Sequence, residues 1–189
     1  MSRPVLLCLA LAAAARAEIV GDGGASTYLD GADWVATSNA GTIRATVPGD
    51  LVTDLQVAGL AGDPLYEMNW IRDAHLWADN SWTYSKSFTL TPAAVAAAAA
   101  GDLLLVFDGV KMSSAVSLNG VSLGGTTDQY LRYVFSLKGK VTAGANVLTV
   151  TFDPTVADTE GRWMACSGGW ECVQRAPCCP ARCTPQLRP

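Results

Sequence analysis

The sequence predicts an all-β fold, a jelly-roll β-sandwich with one or two short helices. Three observations carry this. Residues 103–107 (LLLVF) form an unbroken apolar run closed by Gly101 on one side and Asp108-Gly109 on the other, the pattern of a strand buried on both faces. Residues 42–47, 83–89 and 147–152 alternate in character along the chain, as half-buried strands do. Asn119-Gly120 falls between residues 115–118 and 121–123, and this pair supplies the positive φ angles of a tight hairpin turn. Seven or eight short strands of this kind, with a brief helix, pack as two facing sheets.

Taken in order, residues 1–17 have the pattern of a signal peptide. Arg3 opens it, residues 5–15 are apolar but too short to span a bilayer, and Ala15-Arg16-Ala17 is a small-x-small cleavage site. The mature chain is then expected to begin at Glu18, and the protein to be secreted or delivered to a vacuole or lysosome. Asp30-Gly31 reads as a turn, and Trp34 as the first large side chain packed on the sandwich. After strand 42–47, Pro48-Gly49 ends the run. Asp50 is placed to cap a short helix whose inner face carries Leu51, Leu55 and Val52, and which Gly59 and Gly62 break. Residues 63–70 are irregular and aromatic, a loop crossing the surface. Trp70, Trp77 and Trp82 are the aromatics with the right chemistry to stack on a sugar, although burial is the commoner fate of tryptophan.

Strand 83–89 sets Tyr84, Lys86 and Phe88 against Thr83, Ser85, Ser87 and Thr89. Thr91, Pro92 and Gly101 frame the alanine run 96–100 as N-cap, first turn and stop of a helix; a low-complexity loop is the alternative. Residues 130–137 form a strand with Tyr133 and Phe135 on one side. Gly144-Ala145-Asn146 reads as a turn. Strand 147–152 follows, with Leu148, Val150 and Phe152 facing one way, and Asp153-Pro154 closes the sandwich.

A length of 189 residues, half of them hydrophobic, suits one domain with a real core. The net charge of −4 argues against nucleic acid and anionic membrane as partners, since both need clustered Lys and Arg. Cys8 leaves with the signal peptide. Cys166, Cys172, Cys178, Cys179 and Cys183 crowd the C-terminal end, an odd number without the paired C-x-x-C spacing of a zinc ribbon. His75 is the sole histidine, so neither a metal nor a cofactor is expected. The organisation is therefore a signal peptide (1–17), a β-sandwich (18–165) and a cysteine-rich tail (166–189).

An ordered set of short motifs runs through the sandwich: Leu29-x-Gly31-x-x-Trp34, Val47-Pro48-Gly49, Thr53-Asp54-Leu55, Asp63-Pro64-Leu65-Tyr66 with Asn69, Trp82-x-Tyr84, Phe88, Phe107-Asp108-Gly109-Val110, Val116-x-Leu118-Asn119-Gly120 and Leu123-Gly124. In these the chain resembles the N-terminal domain of β-mannosidases, within the large glycoside hydrolase family that also holds β-galactosidase and β-glucuronidase. The likeness covers residues 29–171, and Asp63-Pro64-Leu65-Tyr66 followed by Asn69 points to the β-mannosidase branch. It implies a galactose-binding-like jelly roll, followed in the family by immunoglobulin-like domains and a TIM barrel that carries both catalytic glutamates. It further implies that Gly169-Trp170-Glu171 corresponds to the family's Gly-Trp-Asp-Trp, whose aspartate binds sugar hydroxyls. Trp170 and Glu171 are thus the expected substrate-binding residues. Here Glu171 stands for the aspartate and Cys172 for the second tryptophan, and the likeness breaks off there. Residues 166–189 are accordingly expected to be out-of-frame or truncated sequence, with a genuine cysteine-rich tail as the rival.

Retaining glycoside hydrolysis needs two carboxyl groups about 5 Å apart. The Asn-Glu dipeptide that presents the family's acid/base is absent from the sequence. A TIM barrel takes about 250 residues, more than the mature chain offers. No catalytic residue is therefore expected, and Asp50, Asp54 and Asp63 read as caps and turn residues. The resemblance implies a non-catalytic N-terminal domain of an enzyme that removes terminal β-D-mannose. Its partners would be a β-mannoside glycan and the enzyme's missing domains. The alternatives are a stand-alone carbohydrate-binding module and a secreted interaction protein linked through tail disulfides.

Overall fold

The computed structural model describes residues 17–21, 26–101, 103–111 and 114–152. Ten strands form two antiparallel sheets. The smaller holds β1 (Ala17–Val20), β2 (Ser26–Tyr28), β6 (Leu104–Asp108) and β9 (Arg132–Ser136) in the order β2-β1-β6-β9. The larger holds β3 (Gly31–Ser38), β4 (Gly41–Val47), β5 (Trp82–Leu90), β7 (Ser114–Leu118), β8 (Val121–Thr126) and β10 (Gly144–Phe152) in the order β4-β3-β5-β10-β7-β8. Four helices lie between strands: α1 (Leu51–Val57), α2 (Asn69–Arg72), α3 (His75–Ala78) and α4 (Pro92–Ala100).

One core fills the space between the sheets. Ile19, Leu105 and Phe107 come from the smaller sheet; Trp34, Tyr84, Val116, Leu148 and Val150 come from the larger. Alternation along the strands produces rows across the larger sheet. Tyr84, Val150 and Val116 form one row, and Lys86, Leu148 and Leu118 the next. Each row is contiguous because side chains two apart on a strand share a face. Lys86 is an exception in kind: it is buried, and it reaches the carboxylate of Asp33 on β3. A bulge between Gly31 and Trp34, with Gly31 at φ +138°, turns Asp33 toward it. The Lys86 ammonium holds the Asp33 carboxyl below its ordinary value.

The expected core strand, hairpin and closing strand are all present. Leu104–Asp108 pairs with β1 on one side and β9 on the other, which buries both of its faces. Asn119 at φ +53° and Gly120 at φ +77° make the tight turn between β7 and β8. Trp34 is buried, its indole N–H donating to the Leu29 carbonyl at 2.8 Å. The alanine run is a helix. Thr91 Oγ1 accepts from the Ala94 N–H, Pro92 opens the first turn, and Gly101 at φ +97° closes it by donating to Ala97 and Ala98. Such end fittings suit a helix that buries only Ala98.

Four expectations need correction. Ten strands replace seven or eight, because β1 and β2 are too short to show periodicity and β3 begins at the Asp30-Gly31 pair read as a turn. Four helices replace one or two, since the loop after α1 contains the single turns α2 and α3. Gly144-Ala145-Asn146 is the first part of β10 and not a turn; these residues pair with Leu90, Thr89 and Phe88. Asn146 is fully buried and its amide bonds Thr142 and Gly144, so a residue typical of turns here anchors a strand. Strand 130–137 is shorter than expected, at Arg132–Ser136. The smaller sheet also begins at Ala17, the residue expected to end the signal peptide.

Candidate functional site

Between β4 and β5 the chain leaves the larger sheet and crosses one end of the sandwich as a strap, residues 50–81. Beneath it lies a cavity of about 370 Å³. Its walls are aromatic: Trp70 and Trp77 from the strap, Trp82 and Tyr84 from β5, Phe107 from β6 and Phe152 from β10. Asp50, Asn80 and Lys111 are its charged and amide-bearing lining residues. A space of this size with so few polar groups suits an apolar body with one or two polar handles.

Local sequence explains how the strap is held. Asp50 caps α1, its carboxylate accepting the Thr53 N–H at 2.9 Å and hydroxyl at 2.7 Å. Gly59 at φ +74° follows the helix end. Asp63 Oδ1 accepts the Leu65 N–H at 2.9 Å, a turn fastened by its own side chain. Asp50 and Asp63 therefore do what their sequence positions predict.

Asp54 does not. It is buried on the inner face of α1, where it accepts the Thr46 N–H at 3.1 Å and the Tyr84 hydroxyl at 3.3 Å. It joins helix, β4 and β5, and it is neither a cap nor a turn residue. Burial pushes its carboxyl above the ordinary value, against the pull of the two hydrogen bonds. Burial likewise raises the Tyr84 phenol, with the Asp54 charge adding to it. The signal was legible: Leu51, Asp54 and Leu55 stand at i, i+3 and i+4, on one helical face.

Asp73 was not singled out by sequence. It is buried at the base of the loop 62–73, where Oδ2 accepts the Gly62 N–H at 2.8 Å. The Arg72 guanidinium grips both of its oxygens, at 2.7 and 2.8 Å. This pairing, with the Gly62 bond, holds the Asp73 carboxyl down to about 2.

The three tryptophans weighed as sugar platforms separate. Trp82 is buried and its indole N–H donates to the Leu76 carbonyl at 2.8 Å. Trp77 is half-buried. Trp70 packs against it with ring centroids 4.9 Å apart and planes tilted by 41°, and is half in water. His75 is exposed, with Nδ1 3.0 Å from the Arg72 carbonyl. Among the described residues no three His, Cys, Asp or Glu side chains are grouped to hold a metal ion, and no helix is long and apolar enough to cross a membrane. Trp170, Glu171 and the five tail cysteines lie outside the described residues.

Comparison with known proteins gives a consistent result. The family model described as glycosyl hydrolase 2 galactose-binding domain-like matches residues 34–183, running past Cys172 where the motif likeness breaks off. The chain is 32% identical over 138 residues to the β-mannosidase of Rattus norvegicus, covering 72% of this chain and 15% of that protein. To the β-mannosidase of Bos taurus it is 32% identical over 126 residues, covering 66% and 14%. The crystal structure of the β-D-mannosidase from Dictyoglomus thermophilum superposes with a TM-score of 0.61 at 26% identity, covering 72% of this chain and 16% of that one. The chain thus spans about 15% of the length of the relatives it matches.

Proposed function

The chain belongs to the glycosyl hydrolase 2 galactose-binding domain-like family, and from that premise we propose that it is the non-catalytic N-terminal domain of a β-mannosidase-type glycoside hydrolase. The full-length enzyme would release terminal β-D-mannose from glycans, as part of carbohydrate metabolism. The observation that carries this is the pairing of two coverages: the match takes up most of this chain and about one seventh of each β-mannosidase. A piece of that size is a domain in a larger enzyme. Alone, the chain would hydrolyse nothing.

Trp170 and Glu171 are the residues we assign to substrate, with the Glu171 carboxylate accepting hydroxyl hydrogen bonds from the sugar. The signal peptide at 1–17 would direct the enzyme to secretion or to a vacuole or lysosome, and the 189 residues would be a fragment of it. A stand-alone carbohydrate-binding module is the second reading, and Trp70 favours it as the strap tryptophan half in water beside a second ring.

The deciding experiment is to sequence the transcript across the codon for Trp170 and assay both products on an aryl β-mannoside. Expected are a frame that continues for several hundred codons, activity in the longer protein and none in the 189-residue chain. A transcript that stops after Pro189 overturns the proposal, and titration with mannosides while following tryptophan fluorescence then tests the second reading.

A further inference from the structure

We propose that the apolar tip of the loop 62–73 is the surface on which the remaining domains of the same polypeptide dock, an inference that rests on the domain reading above and names the face it uses. The loop is closed at its base: the Gly62 N–H bonds buried Asp73, and Ala61 beside it sits in the core. Its ends are thereby fixed close together, as in a compact Ω-loop. Its polar groups turn inward. Asn69 donates its amide to the Asp63 carbonyl at 2.9 Å, Asp63 holds the Leu65 N–H, and the Arg72 guanidinium is taken up by Asp73. What faces water is apolar: Leu65 is 94% exposed, Met68 62%, Tyr66 60% and Trp70 51%.

Four large side chains held out by a hydrogen-bonded frame are costly in an isolated domain and useful in an interface. Tyr, Trp and Met are the types enriched where protein meets protein. Glu67 at the tip takes φ +49°, a conformation side chains avoid unless the surroundings impose it. A glycan is a poor occupant, because it needs free donors and acceptors and the loop's own are engaged within it. The occupant that fits is protein, and about 85% of each matched relative lies outside the part this chain covers.

Hydrogen–deuterium exchange tests this on the 189-residue chain and on the longer polypeptide that contains it. Amides of residues 64–71 are expected to exchange at least tenfold more slowly in the longer protein, the scale expected when a surface loop becomes buried. Leu65→Asp with Met68→Lys should remove that protection while leaving the melting temperature of the short chain unchanged. Val57→Asp, on exposed α1 outside the loop, should leave the protection intact. Equal exchange of 64–71 in both proteins, with slowing on another face, overturns the surface and leaves the domain reading standing. Slowing on no face of the domain removes both. A concentration-dependent dimer of the short chain that protects 64–71, or loss of protection with Val57→Asp as well, also overturns the inference.

Discussion

The inner face of β5 and the loop 62–73 are built from the same kinds of residue. One carries Trp82, Tyr84 and Lys86; the other carries Tyr66, Trp70, Arg72 and Asp73. In β5 all three side chains are buried, because a strand places every second residue on the same side and the facing sheet covers that side. In the loop the order is inverted: the carboxylate of Asp73 is inside, and the rings of Tyr66 and Trp70 are half or more in water. Periodicity decides the first arrangement. Hydrogen bonds that close the loop on itself decide the second, since a buried N–H such as that of Gly62 must find an acceptor wherever the ring systems end up.

The contrast is sharpest in a pair of identical substitutions. Trp82→Ala should cost about 3–5 kcal/mol, by opening a cavity in the core and orphaning the Leu76 carbonyl. Trp70→Ala should cost about 1 kcal/mol or less, as an exposed ring leaning on Trp77. Urea denaturation of both variants checks this. Equal losses would mean that the loop is part of the core.

The two buried carboxylates supply the next test. Asp54→Ala leaves the Thr46 N–H and the Tyr84 hydroxyl without an acceptor and should cost about 2 kcal/mol at neutral pH. Their pH dependence runs in opposite senses. The folded Asp54 carboxyl lies above its ordinary 3.8, so between those values the folded state binds more protons than the unfolded, and stability falls as pH rises through the window. Asp73 lies at about 2 in the folded state. Between there and 3.8 the unfolded state binds more protons, so this contribution is present above 3.8 and lost as pH falls toward 2. Denaturation followed from about pH 2 to pH 6 should show Asp54→Asn flattening the upper limb and Asp73→Asn flattening the lower. A single limb unaffected by both would remove the distinction.

The smallest effect concerns the loop tip. Glu67→Gly at φ +49° should be neutral to stabilising by about 1 kcal/mol, because glycine adopts that conformation freely. Thermal unfolding checks it. A clear loss would show that the Glu67 side chain holds the loop in place.

Most of the sandwich was legible, since strand burial writes itself into alternation and Asn119-Gly120 has few other uses. Asp50 was legible too, because a cap acts on its own next turn. Asn146 misled: its side chain satisfies the carbonyls of Thr142 and Gly144, so the chain keeps a turn-forming residue while the backbone runs on as strand. Asp73 gave no signal, as its partner Gly62 is set by where the loop returns and not by any spacing near it. The strands β1 and β2 are four and three residues long, too short for a repeat to appear.

The central position of β10 in the larger sheet has a consequence for how the protein is made. β10 lies between β5 and β7, paired along its whole length to one and over residues 148–152 to the other. It is the last described strand to leave the ribosome. Until then β4-β3-β5 and β7-β8 are separate half-sheets, each with an unpaired edge where β10 will sit. Folding of the larger sheet therefore waits for residues 144–152. A nascent chain halted before them would present two adhesive edges at once, so the growing chain depends on shielding until its closing strand arrives.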